Sequence, residues 1–149
     1  MILVDANLLI YAIDQDSPHH PPARKWLEGA LSGSGTVGLA WVVILAFLRL
    51  TTRPGILNRP MKAETALDLV DEWLSLPAVE VVLPGDRHWQ VFRNLLKSAG
   101  TAGNLTSDAH LAALAIERGA TVFSADADFS RFPGLRHVNP LVRPARSRP

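Results

Sequence analysis

The chain has no cysteine, which excludes both a disulfide framework and a thiolate metal site and fits a reducing compartment. It also lacks a long apolar run: the longest, Val37 to Leu48, is too short to span a membrane. The opening residues carry no basic segment of the kind an export signal needs. Acid arrives instead at Asp5, Asp14 and Asp16. The expectation is a cytoplasmic protein with no membrane association. G-x-S-x-G, P-loop and G-x-G-x-x-G patterns are missing, so the common hydrolase and nucleotide signatures are out. There is no internal repeat and no low-complexity linker. Acid is lacking at one end: from Arg136 onward there are four Arg and no Asp or Glu. The residues before them therefore hold 11 cations against 14 acids, a balance of −3. This divides the chain into a main domain, residues 1–141, and a basic tail, residues 142–149. The tail suits contact with nucleic acid or a partner, and equally a solvated terminus.

What is present is a chain of 149 residues, 48% of them hydrophobic, with a mean hydropathy of +0.13. That is enough for one domain with a real core. Met1–Val4 reads as a buried strand that turns at once into a helix from about Asn7. Ser17–Pro22 is a loop, followed by a helix over Ala23–Leu31, a strand over Thr36–Ala40 and a helix over Trp41–Leu50. Met61–Leu76 is an amphipathic helix with Ala66, Leu69, Val70, Trp73 and Leu74 at helical spacing. Val79–Leu83 is a strand, Asp86–Ser98 a helix and Ala99–Asn104 a Gly-rich loop. Thr106-Ser107-Asp108 reads as the cap of a strongly apolar helix that Gly119 stops. Ala120–Ser124 is a further strand and Arg136–Val138 a short last one. Strands alternating with helices predict an α/β fold with a mainly parallel sheet covered on both faces.

In such a fold, ligands bind beyond the carboxyl ends of the strands. Acid follows a buried element at three places. Asp5 ends the first strand, Asp126 and Asp128 follow the later one, and Asp108 heads the apolar helix. Right-handed crossovers bring these points to one sheet edge. Four carboxylates there repel one another unless a cation sits among them, and an all-oxygen site suits Mg²⁺ or Mn²⁺. Taken singly, each acid has a plainer role. Asp108 favours the helix dipole, Asp126 and Asp128 form turns, and Asp5 accepts as a cap. As a set at one edge they point to a metal site. His19-His20 lacks a third ligand nearby and reads as surface histidine. His110 reads equally as a packed residue or a neighbour of the acids.

Three stretches carry a resemblance: ILVDANLLIYA (2–12), GNLTSDAHLAALAIERGATV (103–122) and FSADADFSRFPGL (123–135). In this order, with WVVILAFLRLTT (41–52) between, they resemble the PIN-domain ribonucleases, and more closely the VapC toxins of type II toxin–antitoxin systems. The resemblance implies a three-layer α/β/α fold and a Mg²⁺- or Mn²⁺-dependent endoribonuclease. Such an enzyme cleaves structured RNA, a tRNA or rRNA, and so inhibits translation. It also implies neutralisation by a VapB-type antitoxin. The family's catalytic acids carry over to Asp5, Asp108 and Asp126, and its metal ligands to Asp5, Asp108, Asp126 and Asp128. Many PIN domains also place a Glu in the helix after the second strand, where this chain has Phe47. Glu64 is too distant to replace it, and Phe47 reads as a core residue packed with Trp41. Arg49, Arg53 and the tail arginines are candidates for phosphate contact. The competing class is a degenerate PIN fold that binds RNA or protein without cutting. Finally, the helix at Trp41–Leu50 is apolar nearly all round and calls for burial on every side. That predicts a homodimer, with an antitoxin segment in a groove beside this helix and the one over Ala23–Leu31.

Overall fold

A computed structural model describes residues 1–142. Beyond Val142, the predicted basic tail lies outside the described residues. Five strands, β1 (Ile2–Val4), β2 (Val37–Ala40), β3 (Val79–Val82), β4 (Thr121–Phe123) and β5 (Arg136–Val138), form one sheet in the order β3-β2-β1-β4-β5. Every neighbouring pair is parallel, so the sheet is wholly rather than mainly so. It is flanked by α1 (Ala6–Ile13), α2 (His20–Ser32), α3 (Trp41–Thr52), α4 (Ala63–Ser75), α5 (His88–Ala99) and α6 (Thr106–Arg118). This is the predicted three-layer α/β/α arrangement. The chain order reverses at β1: β2 and β3 lie to one side of it, β4 and β5 to the other. A crevice at such a reversal, beyond the carboxyl ends of the strands, is where open α/β sheets bind ligands.

The strands are short and buried because helices cover both faces. In β2 all four residues are buried, and Gly38 is there for want of room. A Cβ at Gly38 would overlap Leu3 Cδ2 and come within 2.6 Å of Val82 Cγ2. Replacing Gly38 by Ala overpacks the middle of the sheet and should cost about 1–3 kcal/mol. Urea unfolding reads this as a lower midpoint. An unchanged midpoint would mean that Leu3 and Val82 rotate away freely.

Helix α2 starts at His20, earlier than the sequence suggests, with Pro21 and Pro22 in its first turn, where a missing N–H costs nothing. Helix α6 also starts early. A 3₁₀ turn, Gly103–Leu105, runs straight into it, with Gly103 at φ +48°. Thr106 and Ser107 are therefore first-turn residues, not caps, and no side chain caps this helix. Asp108 keeps its place in that first turn. Gly119 ends α6 in the left-handed region, as expected.

Helix α3 buries Val43, Ile44, Phe47 and Thr51. Phe47 has no exposed surface, and its ring meets Trp73 of α4 edge-on, with centroids 4.9 Å apart. Phe47 is thus a core residue, packed against Trp73 rather than Trp41. Trp41 and Leu45 stand 52% and 60% exposed. A single core does not cover this helix.

Candidate metal centre

Strand β1 passes directly into α1, and Asp5 is the residue at the join. Its Oδ1 accepts the Ala6 N–H at 2.8 Å as the helix N-cap. The neighbouring β4 pairs Phe123 with Val4, and the Asp5 N–H donates to the Phe123 carbonyl at 3.0 Å. The fully buried Ser124 comes next. Its hydroxyl donates to Asp5 Oδ2 at 2.7 Å and accepts from Asn7 Nδ2 at 3.1 Å and from the Asp126 N–H at 3.0 Å. Asn7 in turn accepts the Ala125 N–H at 3.3 Å. Asp5, Asn7 and Ser124 thereby fix the exits of β1 and β4 to each other. His137 on β5 braces the same corner, its Nε2 hydrogen-bonding the Ser124 carbonyl at 3.1 Å.

Asp126 begins a second 3₁₀ turn, Ala127–Arg131, and its side chain accepts the Asp128 N–H at 2.8 Å. Asp108 reaches the same place from α6. Carboxylate oxygens of Asp108, Asp126 and Asp128 lie within 4.8 Å of one another. Asp5 stands beside this triplet, engaged by Ser124 and Ala6, and completes the charge. Burial raises the Asp5 carboxyl above its ordinary range, and hydrogen bonds from Ser124 and Ala6 pull it back; Asp126 pushes it up again and His137 lowers it. Burial, then repulsion by Asp5, Asp126 and Asp128, pushes the Asp108 carboxyl up to about 7. Three carboxylates converging on one point are a donor set a hard divalent cation would relieve.

Asp5 and Asp108 open on a cleft of about 350 Å³, which Asn7 and Ser107 also line. Its far wall is α3, through Val43, Ala46 and Arg49 among others, and Phe47 is not on it. Of the arginines proposed for phosphate contact, Arg49 lines the cleft and Arg53 does not. His20 is turned to the Tyr11 carbonyl at 2.9 Å, and among the described residues neither it nor His19 joins a metal-holding group. His110 pairs with His88 at 2.8 Å. Sequence reasoning assigned no role to Asn7, Ser124 or His137. Ser124 left a trace, a hydroxyl at the end of an apolar strand just before the acids.

A PIN domain family model matches residues 2–135. Ribonuclease VapC37 of Mycobacterium tuberculosis is 48% identical over 140 residues, which cover 94% of this chain and 97% of the relative. The chain belongs to the VapC family of PIN domains. As a fold, this VapC chain superposes on the crystal structure of VapBC2 from Rickettsia felis bound to a DNA fragment from their promoter. The TM-score there is 0.68 at 23% identity, covering 93% of this chain and 98% of that one. Mycobacterium tuberculosis VapC20, a Sarcin-Ricin loop cleaving toxin, gives a TM-score of 0.66 at 21% identity, covering 91% and 99%. Asp5 and Asp108 of this VapC chain line a cleft beyond the carboxyl ends of its strands.

Proposed function

We propose that this chain is the ribonuclease toxin of a toxin–antitoxin pair, hydrolysing phosphodiester bonds of a structured RNA with Mg²⁺ or Mn²⁺. The observation that carries the reading is the Asp108–Asp126–Asp128 triplet beside Asp5, with the Asp108 carboxyl held near 7. Such a cluster costs stability, and a purely structural role does not call for one. Asp108, Asp126 and Asp128 would hold the ion, with Asp5 supplying a further oxygen. A bound divalent ion supplies charge neutralisation and Lewis acidity toward a phosphodiester. Ser124 and Asn7 keep Asp5 oriented, and Arg49 offers a charge to a neighbouring phosphate. The relative's name, ribonuclease, supports the reaction, and the Sarcin-Ricin loop cleaved by a structural neighbour supports structured RNA as the substrate class. The α3 wall brings no acid to the cleft, so the RNA-free protein should hold Mg²⁺ weakly.

The test is cleavage of total RNA by the purified protein in Mg²⁺, in Mn²⁺ and in EDTA. Cutting in metal that EDTA stops is expected; equal cutting in EDTA, or none in either metal, would overturn the reading. The exposed Trp41 and Leu45 on α3 support a second copy, or an antitoxin segment, against that face. Sedimentation of the free protein should show a dimer that Leu45→Glu dissociates. A monomer at high micromolar concentration would remove the second copy.

A further inference from the structure

A second cleft of about 360 Å³ adjoins the acidic one. Val42 and Ser107 line both, and its other walls are His88, Trp89, Phe92, Thr106 and His110. Trp89 is 68% exposed, its ring 5.8 Å from that of Phe92 between centroids. Beneath it runs a chain of hydrogen bonds: Glu117 to His88 Nδ1 at 2.9 Å, then His88 Nε2 to His110 Nδ1 at 2.8 Å. A carboxylate only accepts, so His88 Nδ1 donates to it. The hydrogen bonds hold the His88 and His110 rings in place at the cleft wall. The cleft therefore combines two aromatic rings with the polar edge of an imidazole. Along α5 the exposed residues Trp89, Arg93 and Lys97 follow one another at i, i+4 and i+8. The helix carries no acid, and neither Arg93 nor Lys97 forms a salt bridge among the described residues.

We propose that this cleft seats one unstacked nucleobase of the RNA, flanking the phosphate that lies over the acids; the proposal rests on the ribonuclease reading above. A base presents a π-face to Trp89 and Phe92 and a hydrogen-bonding edge to His110, and the phosphates on either side meet Arg93 and Lys97. The cations favour RNA over a second copy here, whereas the apolar Trp41 and Leu45 face of α3 favours a second copy there.

The experiment has two arms. In the first, an RNA oligonucleotide that the wild type cuts is remade with an abasic nucleotide at each position flanking the cut. One position should lose about tenfold or more in kcat/KM, and the Trp89→Ala protein should lose little more there. Equal losses in both proteins at every position would overturn the proposal. In the second arm, Asp108→Asn protein in Mg²⁺ is titrated with the hexamers rA6, rC6 and rU6, with and without an added Trp89→Phe change. Quenching of tryptophan emission that needs Trp89 supports the site. Quenching independent of Trp89, or no quenching, overturns it. Should the wild type cut no RNA while Trp89 is still quenched, the ribonuclease reading fails and the base site stands. Should Trp89→Ala instead turn a dimer into a monomer in sedimentation, with no quenching by any hexamer, a second copy covers the cleft and the base site fails.

Discussion

Asp108→Asn should reduce RNA cleavage on the order of a hundredfold or more and, in the same protein, raise the melting temperature of the metal-free state at pH 8. The two effects share one cause. The Asp108 carboxyl has an ordinary value of 3.8 and stands near 7 in the folded chain. Between those values the folded protein keeps a proton that the unfolded chain has released. Stability from this group is thus complete below about pH 4 and is lost as pH rises through about 7. The loss is on the order of a few kcal/mol. Asparagine has the same size and no charge, so the variant should melt higher than wild type at pH 8 and alike at pH 4. Mn²⁺ added at pH 8 should stabilise the wild type and leave the variant unmoved. Metal binding must also displace the Asp108 proton, so apparent affinity should climb from pH 5 to about 7. Calorimetry at several pH values checks this. A variant that cuts at the wild-type rate would remove Asp108 from the site. One that melts no higher at pH 8 would remove the repulsion.

Asp5→Asn is a poorer probe, for a reason invisible in the sequence. Both Asp5 oxygens accept hydrogen bonds, Oδ1 from Ala6 and Oδ2 from Ser124. An amide nitrogen in place of Oδ2 would face two donors, Ser124 and Asn7. Its effect on activity would therefore mix lost charge with a disturbed corner.

The order of strands and helices was readable from apolar periodicity, because the strands are short, buried and bounded by turns. The meeting of Asp5, Asp108, Asp126 and Asp128 was readable too, since parallel connections leave only one edge for strand exits. Their unequal parts were not. Ser124 is tied to Asp5 across 119 positions of sequence, and no local pattern reports such a partner. The start of α6 differs from the sequence expectation because Thr106 and Ser107 are residues that ordinarily cap, while here a 3₁₀ turn supplies the entry. Hydrophobicity alone places Trp41 in the core, whereas the structure leaves it 52% exposed. Periodicity tells which residues share a helix face, but not whether this chain or another covers it.

The same limit governs the position where many PIN domains carry Glu, and there it yields a sharp contrast between neighbours. Successive residues on a helix point about 100° apart, so a reading one residue out lands on another face. The resemblance sets Phe47 at the Glu position. In the structure Phe47 is fully buried against Trp73, while Ala46 lines the cleft with Asp5 and Asp108. Phe47→Glu should therefore not restore an acid to the metal centre. It removes a core ring, a loss of about 3–5 kcal/mol, and leaves a carboxyl among apolar side chains with no partner. Most of the protein should be insoluble or melt far below the wild type. Ala46→Glu should fold and bring a carboxylate to the cleft. That adds repulsion to the metal-free state at pH 8 and strengthens Mg²⁺ binding by about tenfold or more, read by calorimetry without RNA. A soluble Phe47→Glu protein that binds Mg²⁺ more tightly, beside an Ala46→Glu protein that does not, would show that residue 47 and not residue 46 faces the acids in solution.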